Sequence, residues 1–300
     1  MTGLGALIRR NTKLYFKDKG MFFTSLITPM ILLVLYSTFL ANVYEDSFRS
    51  ALEAAGAAVS DKVLWGCVGG ELVSSLLAVS CVTVAFCSNL LMVQDKITGA
   101  RRDLTITPLK SGTLALSYYL STLLSTLLIC FAALVVCLVY LANVGWFLTA
   151  KDVAALVLDV VLLVLFGTAL SSCVIFPLST QGQASAVGTI ISAGYGFICG
   201  AYMPISSFSA GLQRVISFLP GTYGTSLLRN HAMGGAFAEM KAQGFPAEVV
   251  EAIRDSVDCN LYFFDEKVTI GAMYLVLTAS IVLALGIYVA MNIILGKKMH

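Results

Sequence analysis

The sequence predicts an all-α integral membrane protein with six transmembrane helices, an N-terminal amphipathic interfacial helix, and re-entrant outer helices between spans five and six. Three observations carry this reading. Only 12% of the 300 residues are charged and 58% are hydrophobic, with mean hydropathy +0.87, whereas about a quarter of a soluble domain is charged. Long apolar runs recur along the chain at the length a bilayer demands. Basic residues collect in alternate connecting segments.

The elements follow in order. Residues 4–19 form a helix with Leu4, Leu7, Ile8, Leu14 and Tyr15 on one face and Arg9, Arg10, Lys13 and Lys17 on the other. That pattern suits a helix lying in the headgroup plane. A hydrocarbon core about 30 Å thick needs roughly 20 apolar residues in a helix. Runs of this kind lie at about 21–43, 63–93, 113–142, 153–176, 183–203 and 268–295. Together they make one membrane domain over residues 1–300.

Lys and Arg set the orientation, because they favour the cytoplasmic side. With the N-terminus inside, the inner segments hold eleven basic residues, Lys297 and Lys298 among them, against three acidic ones. The outer segments hold eight basic and twelve acidic. Both termini are therefore expected in the cytoplasm of a cell whose plasma or inner membrane holds the chain. The segment DKITGARRDLTITPLKSG, residues 95–112, becomes its longest cytoplasmic loop.

Between spans five and six, 204–236 carries Pro204 and Pro220 around Phe208, Leu212, Val215, Ile216, Phe218 and Leu219. The apolar residues repeat at helical spacing, but the run is too short to span. It reads as a helix that dips into the outer leaflet, turns at Pro220–Gly221 and climbs out, which requires surrounding protein. Residues 237–266 read as an external cap with one amphipathic helix.

Several chemistries are excluded. The eight cysteines contain no CxxC pair, and only Cys259 falls in a polar segment. The two histidines, His231 and His300, are far apart, so neither a metal centre nor a catalytic cluster is expected. No GxxxxGK[ST] phosphate-binding loop occurs, so ATP is not bound by this chain. No nucleic-acid partner is expected. Glu71 and Asp159 stand within spans, where a charge is costly and turns inward. They are candidates for the wall of a substrate cavity, or for hydrogen bonding between helices. Gly66/Gly70 and Gly196/Gly200 are GxxxG pairs suited to close helix contact inside the chain.

Two motifs resemble the permeases of type-2 ATP-binding-cassette exporters. The first is Asp95, Gly99, Asp103-Leu104 and Thr107-Pro108-Leu109 in the long inner loop. The second is Gly200, Pro204, an amphipathic stretch, Leu219-Pro220-Gly221, Tyr223 and Leu228-Arg229. The chain departs from the family pattern after the glycine: Ala100, Arg101 and Arg102 replace a common Thr–hydrophobic–Glu run.

The resemblance implies that 95–109 is a coupling helix seated in a separate cytosolic ATPase subunit. Ile97, Leu104 and Ile106 would be its apolar knobs, and Asp95, Lys96, Arg101, Arg102 and Asp103 its register-fixing charges. Gly99 belongs to the motif, and Pro108 would end the helix. It also implies an outer gate of Pro204, Phe208, Leu212, Phe218, Leu219 and Pro220, and a second permease chain, identical or not. The cavity would lie at the permease interface, lined by the second and fifth spans. ATP and Mg would sit on the ATPase. The cargo expected is a hydrophobic drug, lipid or peptide moved outward. A secondary transporter or a non-transporting sensor subunit are the alternatives.

Overall fold

The computed structural model describes residues 2–54, 60–107, 109–264 and 266–296. Among the described residues, five helical stretches are long and apolar enough to cross a membrane: Lys19–Ser50, Asp61–Ile97, Ser111–Val144, Ala150–Ile175 and Ile270–Ile294. The run at 183–203 becomes the shorter α9, Gln181–Ile198, which carries Gln181, Gln183, Ser185, Thr189 and Ser192 among its apolar residues. It does not reach the length and hydropathy of the other five.

Chain order begins with α1 (Thr2–Lys17) and α2 (Lys19–Leu35). Asp18 separates them because its carboxylate caps the second helix, accepting from the Met21 N–H at 3.1 Å. A π-turn at Tyr36–Leu40 joins α2 to α3 (Ala41–Ala54), and the Tyr36 hydroxyl donates to the Ala201 carbonyl at 2.9 Å. The first span is thus longer at its C-terminal end than residues 21–43.

The central element is α4 (Asp61–Asn89), continued after Leu90 by α5 (Leu91–Ile97). Its apolar residues fall all round the helix, the pattern of a core helix, and nearly every side chain from Val63 to Asn89 is buried. It packs against α2, α7 (Ser111–Val144), α8 (Ala150–Ile175) and α11 (Pro220–Ala242). A Cβ at Gly70 would stand 2.5 Å from Met233 Cγ and 3.0 Å from the Ala232 carbonyl. Only glycine lets α4 and α11 cross this closely. Gly66 likewise faces Phe147, so this GxxxG pair packs inside the chain.

Capping boxes start α8 and α9. Thr149 and Asp152 exchange backbone and side-chain hydrogen bonds, as do Thr180 and Gln183. Pro220 begins α11, where its missing N–H costs nothing. Before it lie a 3₁₀ turn (Ile205–Ser207) and α10 (Ala210–Ile216). The second limb of the proline-bracketed segment is therefore a 23-residue helix that runs past position 236.

The cap holds α12 (Ala247–Ser256), the amphipathic helix expected there. It also holds an unexpected hairpin of β1 (Tyr262–Phe263) and β2 (Glu266–Lys267). Lys267 pairs with Glu251 of α12 and pulls that carboxyl below its ordinary range. Cys259, expected in a polar loop, is buried beneath this cap. The last helix is α13 (Ile270–Gly296).

Exposed apolar side chains such as Phe23, Phe39, Leu128, Val135, Leu275 and Leu283 cover the outside of the bundle. That surface belongs in lipid. The interfacial-helix expectation needs one correction. Leu7, Asn11 and Tyr15 are buried, and α1 packs against α7. Part of the face assigned to lipid docks on protein instead, while Leu14 and Phe16 stay exposed.

Candidate functional site

The segment 95–109 is not one helix. Gly99 adopts φ 82°, a left-handed conformation that favours glycine, and it breaks α5 from α6 (Ala100–Ile106). None of the side chains of α6 is buried. Ile106 is 77% exposed and Ile97 47%; Arg102, Asp103 and Thr105 face outward, with Leu104 half-buried. Pro108 lies outside the described residues.

Two of the expected docking charges turn inward. Asp95 is buried, with its Oδ2 2.7 Å and Oδ1 3.1 Å from the two terminal nitrogens of Arg10. The Tyr118 hydroxyl donates to the same Oδ2 at 2.6 Å. This bidentate pair holds the Arg10 guanidinium above its ordinary pKa. Lys96 donates to the Phe176 and Leu178 carbonyls at the end of α8. Asp95 and Lys96 therefore fasten the base of the segment to α1, α7 and α8. Arg102 and Asp103 present their charges at the surface.

At the far end, Arg229 of α11 is the largest fully buried side chain. Its Nη2 lies 2.6 Å from Glu71 Oε1 and donates to the Gly200 carbonyl at 2.7 Å. Its Nη1 lies 3.1 Å from Asp258 Oδ2. The same Asp258 oxygen accepts from the Ile205 N–H at 2.8 Å. One guanidinium thus ties α4, the α9–α10 turn, α11 and the cap together. Glu71 Oε2 and Arg229 Nε find no partner among the described residues.

Asp159 of α8 forms a second inward cluster. His231 Nδ1 is 2.6 Å from its Oδ2, and the Tyr274 hydroxyl donates to its Oδ1 at 2.7 Å. Sequence reasoning left His231 and Arg229 without roles, since their partners are distant in sequence. An acid within a span and a basic residue in an apolar helix were the available signals.

A cavity of about 1070 Å³ lies between α2 and α9. Ile27, Ile31 and Leu35 line one wall and Ser185, Thr189 and Ser192 the other. Glu71 and Asp159, candidates for a cavity wall or for hydrogen bonding between helices, do not line it. Both are completely buried on internal partners.

The residues expected at an outer gate gather around α10. Leu212 and Phe218 are exposed, Phe208 and Leu219 half-buried. Pro204 precedes the 3₁₀ turn. The Phe218 ring makes edge contacts with Phe263 and Phe264, centroids 5.2 and 6.0 Å away. Sequence reasoning missed this aromatic link between α10 and the hairpin.

The arrangement is a membrane bundle with a projecting, latched surface helix at one end and a buried ionic knot at the other. Comparison with curated proteins finds no match. The family model described as ABC-2 type transporter matches residues 2–232, a stretch that includes α6, Glu71, Asp159 and Arg229. The chain belongs to the ABC-2 type transporter family and is the membrane-spanning permease of such a transporter.

Proposed function

We propose that the chain moves a hydrophobic or amphipathic substrate outward, driven by ATP hydrolysis on a separate cytosolic subunit. The observation that carries this is α6: a short helix with no buried side chain, anchored at its base by the Arg10–Asp95–Tyr118 and Lys96–carbonyl contacts. An unsupported exposed Ile106 invites a partner, and a rigid anchor lets force pass into α4, α7 and α8. Ile97, Arg102, Asp103, Leu104 and Ile106 would form the docking face. Gly99 sets its angle, and ATP with Mg belongs to the partner.

In this reading α9 is the fifth span in chain order and brings the total to six. Its small and hydroxyl-bearing residues suit a wall that a second permease chain completes better than they suit lipid. The α10–α11 pair re-enters from outside. Both termini are cytoplasmic, in the plasma or inner membrane. Purifying the chain with an ATP-binding subunit and measuring ATP-driven transport in proteoliposomes tests the whole reading.

Orientation has its own test. A membrane-impermeant thiol reagent should label Lys241→Cys in intact cells and Ser111→Cys only after the cells are opened. Both positions are exposed, whereas native Cys259 is buried and should stay silent. Labelling of Ser111→Cys in intact cells would reverse the topology.

The outer gate would be the apolar surface of Phe208, Leu212, Phe218 and Leu219 between Pro204 and Pro220. Apolar packing seals against water yet yields to a hydrophobic substrate, because no ion pair must break. Phe218→Asp removes the edge contacts with Phe263 and Phe264, at a cost of about 0.5–1.5 kcal/mol per aromatic pair, and sets a charge on the apolar surface. It should raise basal ATPase activity and leak small solutes from liposomes, while Arg214→Ala, at an exposed position, changes little. A tight, fully active Phe218→Asp complex would place the gate elsewhere.

A further inference from the structure

A second cavity, of about 240 Å³, lies beside the latched segment, between the ends of α5, α7, α8 and α13. Lys96, Arg101 and Arg102 line it with Ser111 and Asn292, and no carboxylate does. Among the described residues none of these three cations forms a salt bridge. The nearby Asp95 is already engaged by Arg10 and Tyr118.

The cations are also crowded. Lys96 Nζ and Arg101 Cζ lie 5.5 and 5.6 Å from the centroid of one ring, Phe176. The Lys96 ammonium is at least satisfied by two carbonyls. Arg101 Nη1 is shut off from solvent and donates to nothing among the described residues. A buried donor on a charged group costs more than any other polar atom left unpaired. Two like charges beside it raise that cost. An anion with several acceptor oxygens removes both penalties, and a guanidinium fork fits phosphate best.

The source of the phosphate follows from the walls. All four helices belong to stretches long and apolar enough to span a membrane, and residues beside the lining ones on α7 and α13, Leu116, Ile293 and Ile294, are exposed and apolar. Acyl chains have a surface to lie on there. Basic pockets between membrane helices are suited to lipid headgroups. We infer that this cavity binds the headgroup phosphate of an anionic phospholipid. The Arg101-Arg102 pair, which departs from the family pattern, thereby gains a role. The site rests on α7 and α13 crossing the membrane and not on the ATPase reading.

The purified full-length chain, offered equal phosphatidylglycerol and phosphatidylcholine in detergent, should retain phosphatidylglycerol preferentially by native mass spectrometry. Arg101→Gln/Arg102→Gln should cut that preference about tenfold, the effect of removing one charge-assisted hydrogen bond. Arg214→Gln, at the other end of the bundle, should keep it. Arg102→Gln alone changes an exposed residue, so it keeps the test readable where the Arg101 change misfolds, and it should lower the preference severalfold. Inorganic phosphate should not displace the lipid. Equal retention of both lipids, a double variant with unchanged preference, or phosphate binding in place of the lipid would each overturn the inference.

Discussion

Arg229→Met is expected to destabilise the protein by about 3–5 kcal/mol, the cost of breaking a buried ion pair from one side. The guanidinium is 1% exposed and is the charge partner of both Glu71 and Asp258. Without it, two acids face each other in the protein interior, and the Gly200 carbonyl loses its donor. At about 2–4 °C per kcal/mol for a chain of this size, the melting midpoint in detergent should fall by roughly 10 °C. Arg229→Met/Glu71→Met should recover part of the loss, since removing both charges spares the uncompensated acid. A single variant that melts like the wild type would mean that the cluster is solvated and that the four segments are held by something else.

The second large effect is on coupling. Leu104→Asp, combined with Asp103→Lys, should abolish ATP-driven transport while leaving membrane insertion and the melting midpoint nearly unchanged. The contrast arises because α6 has no fully buried side chain and only Leu104 packs partly against the core, yet the helix is fastened to helices that cross the bundle. A charged residue at a partially buried docking position costs a few kcal/mol against an apolar groove, enough to empty the contact. Normal transport with normal ATPase stimulation in the double variant would remove α6 from the coupling path.

Much of this was legible in the sequence, and the failures share a cause. Apolar run length located α4, α7, α8 and α13 well, because a bilayer imposes that length. At 183–203 it located a helix, α9, whose glutamines and hydroxyls lower its hydropathy without breaking it. Gly99 was visible as part of a motif, but its left-handed backbone is what divides the segment in two. Asp95 and Lys96 looked like docking charges because nothing local shows that Arg10 lies 85 residues away in sequence but within hydrogen-bond reach. Glu71 and Arg229, 158 residues apart, are hidden in the same way. Burial of a charge announces that a partner exists; pattern reasoning does not name it. Cys259 failed in the other direction, a polar neighbourhood in sequence that the cap folds over.

If α6 is the surface on which a separate ATPase acts, that subunit must lie within reach of its exposed side chains. A photo-crosslinking residue placed at Ile106, the most exposed apolar side chain of the helix at 77%, tests it most directly in membranes containing the native complex. A single crosslinked product is expected, which mass spectrometry identifies as an ATP-binding-cassette subunit carrying the GxxxxGK[ST] loop this chain lacks. The product should disappear when Leu104→Asp is added. Crosslinking only to lipid, or to a protein without an ATP site, would contradict it.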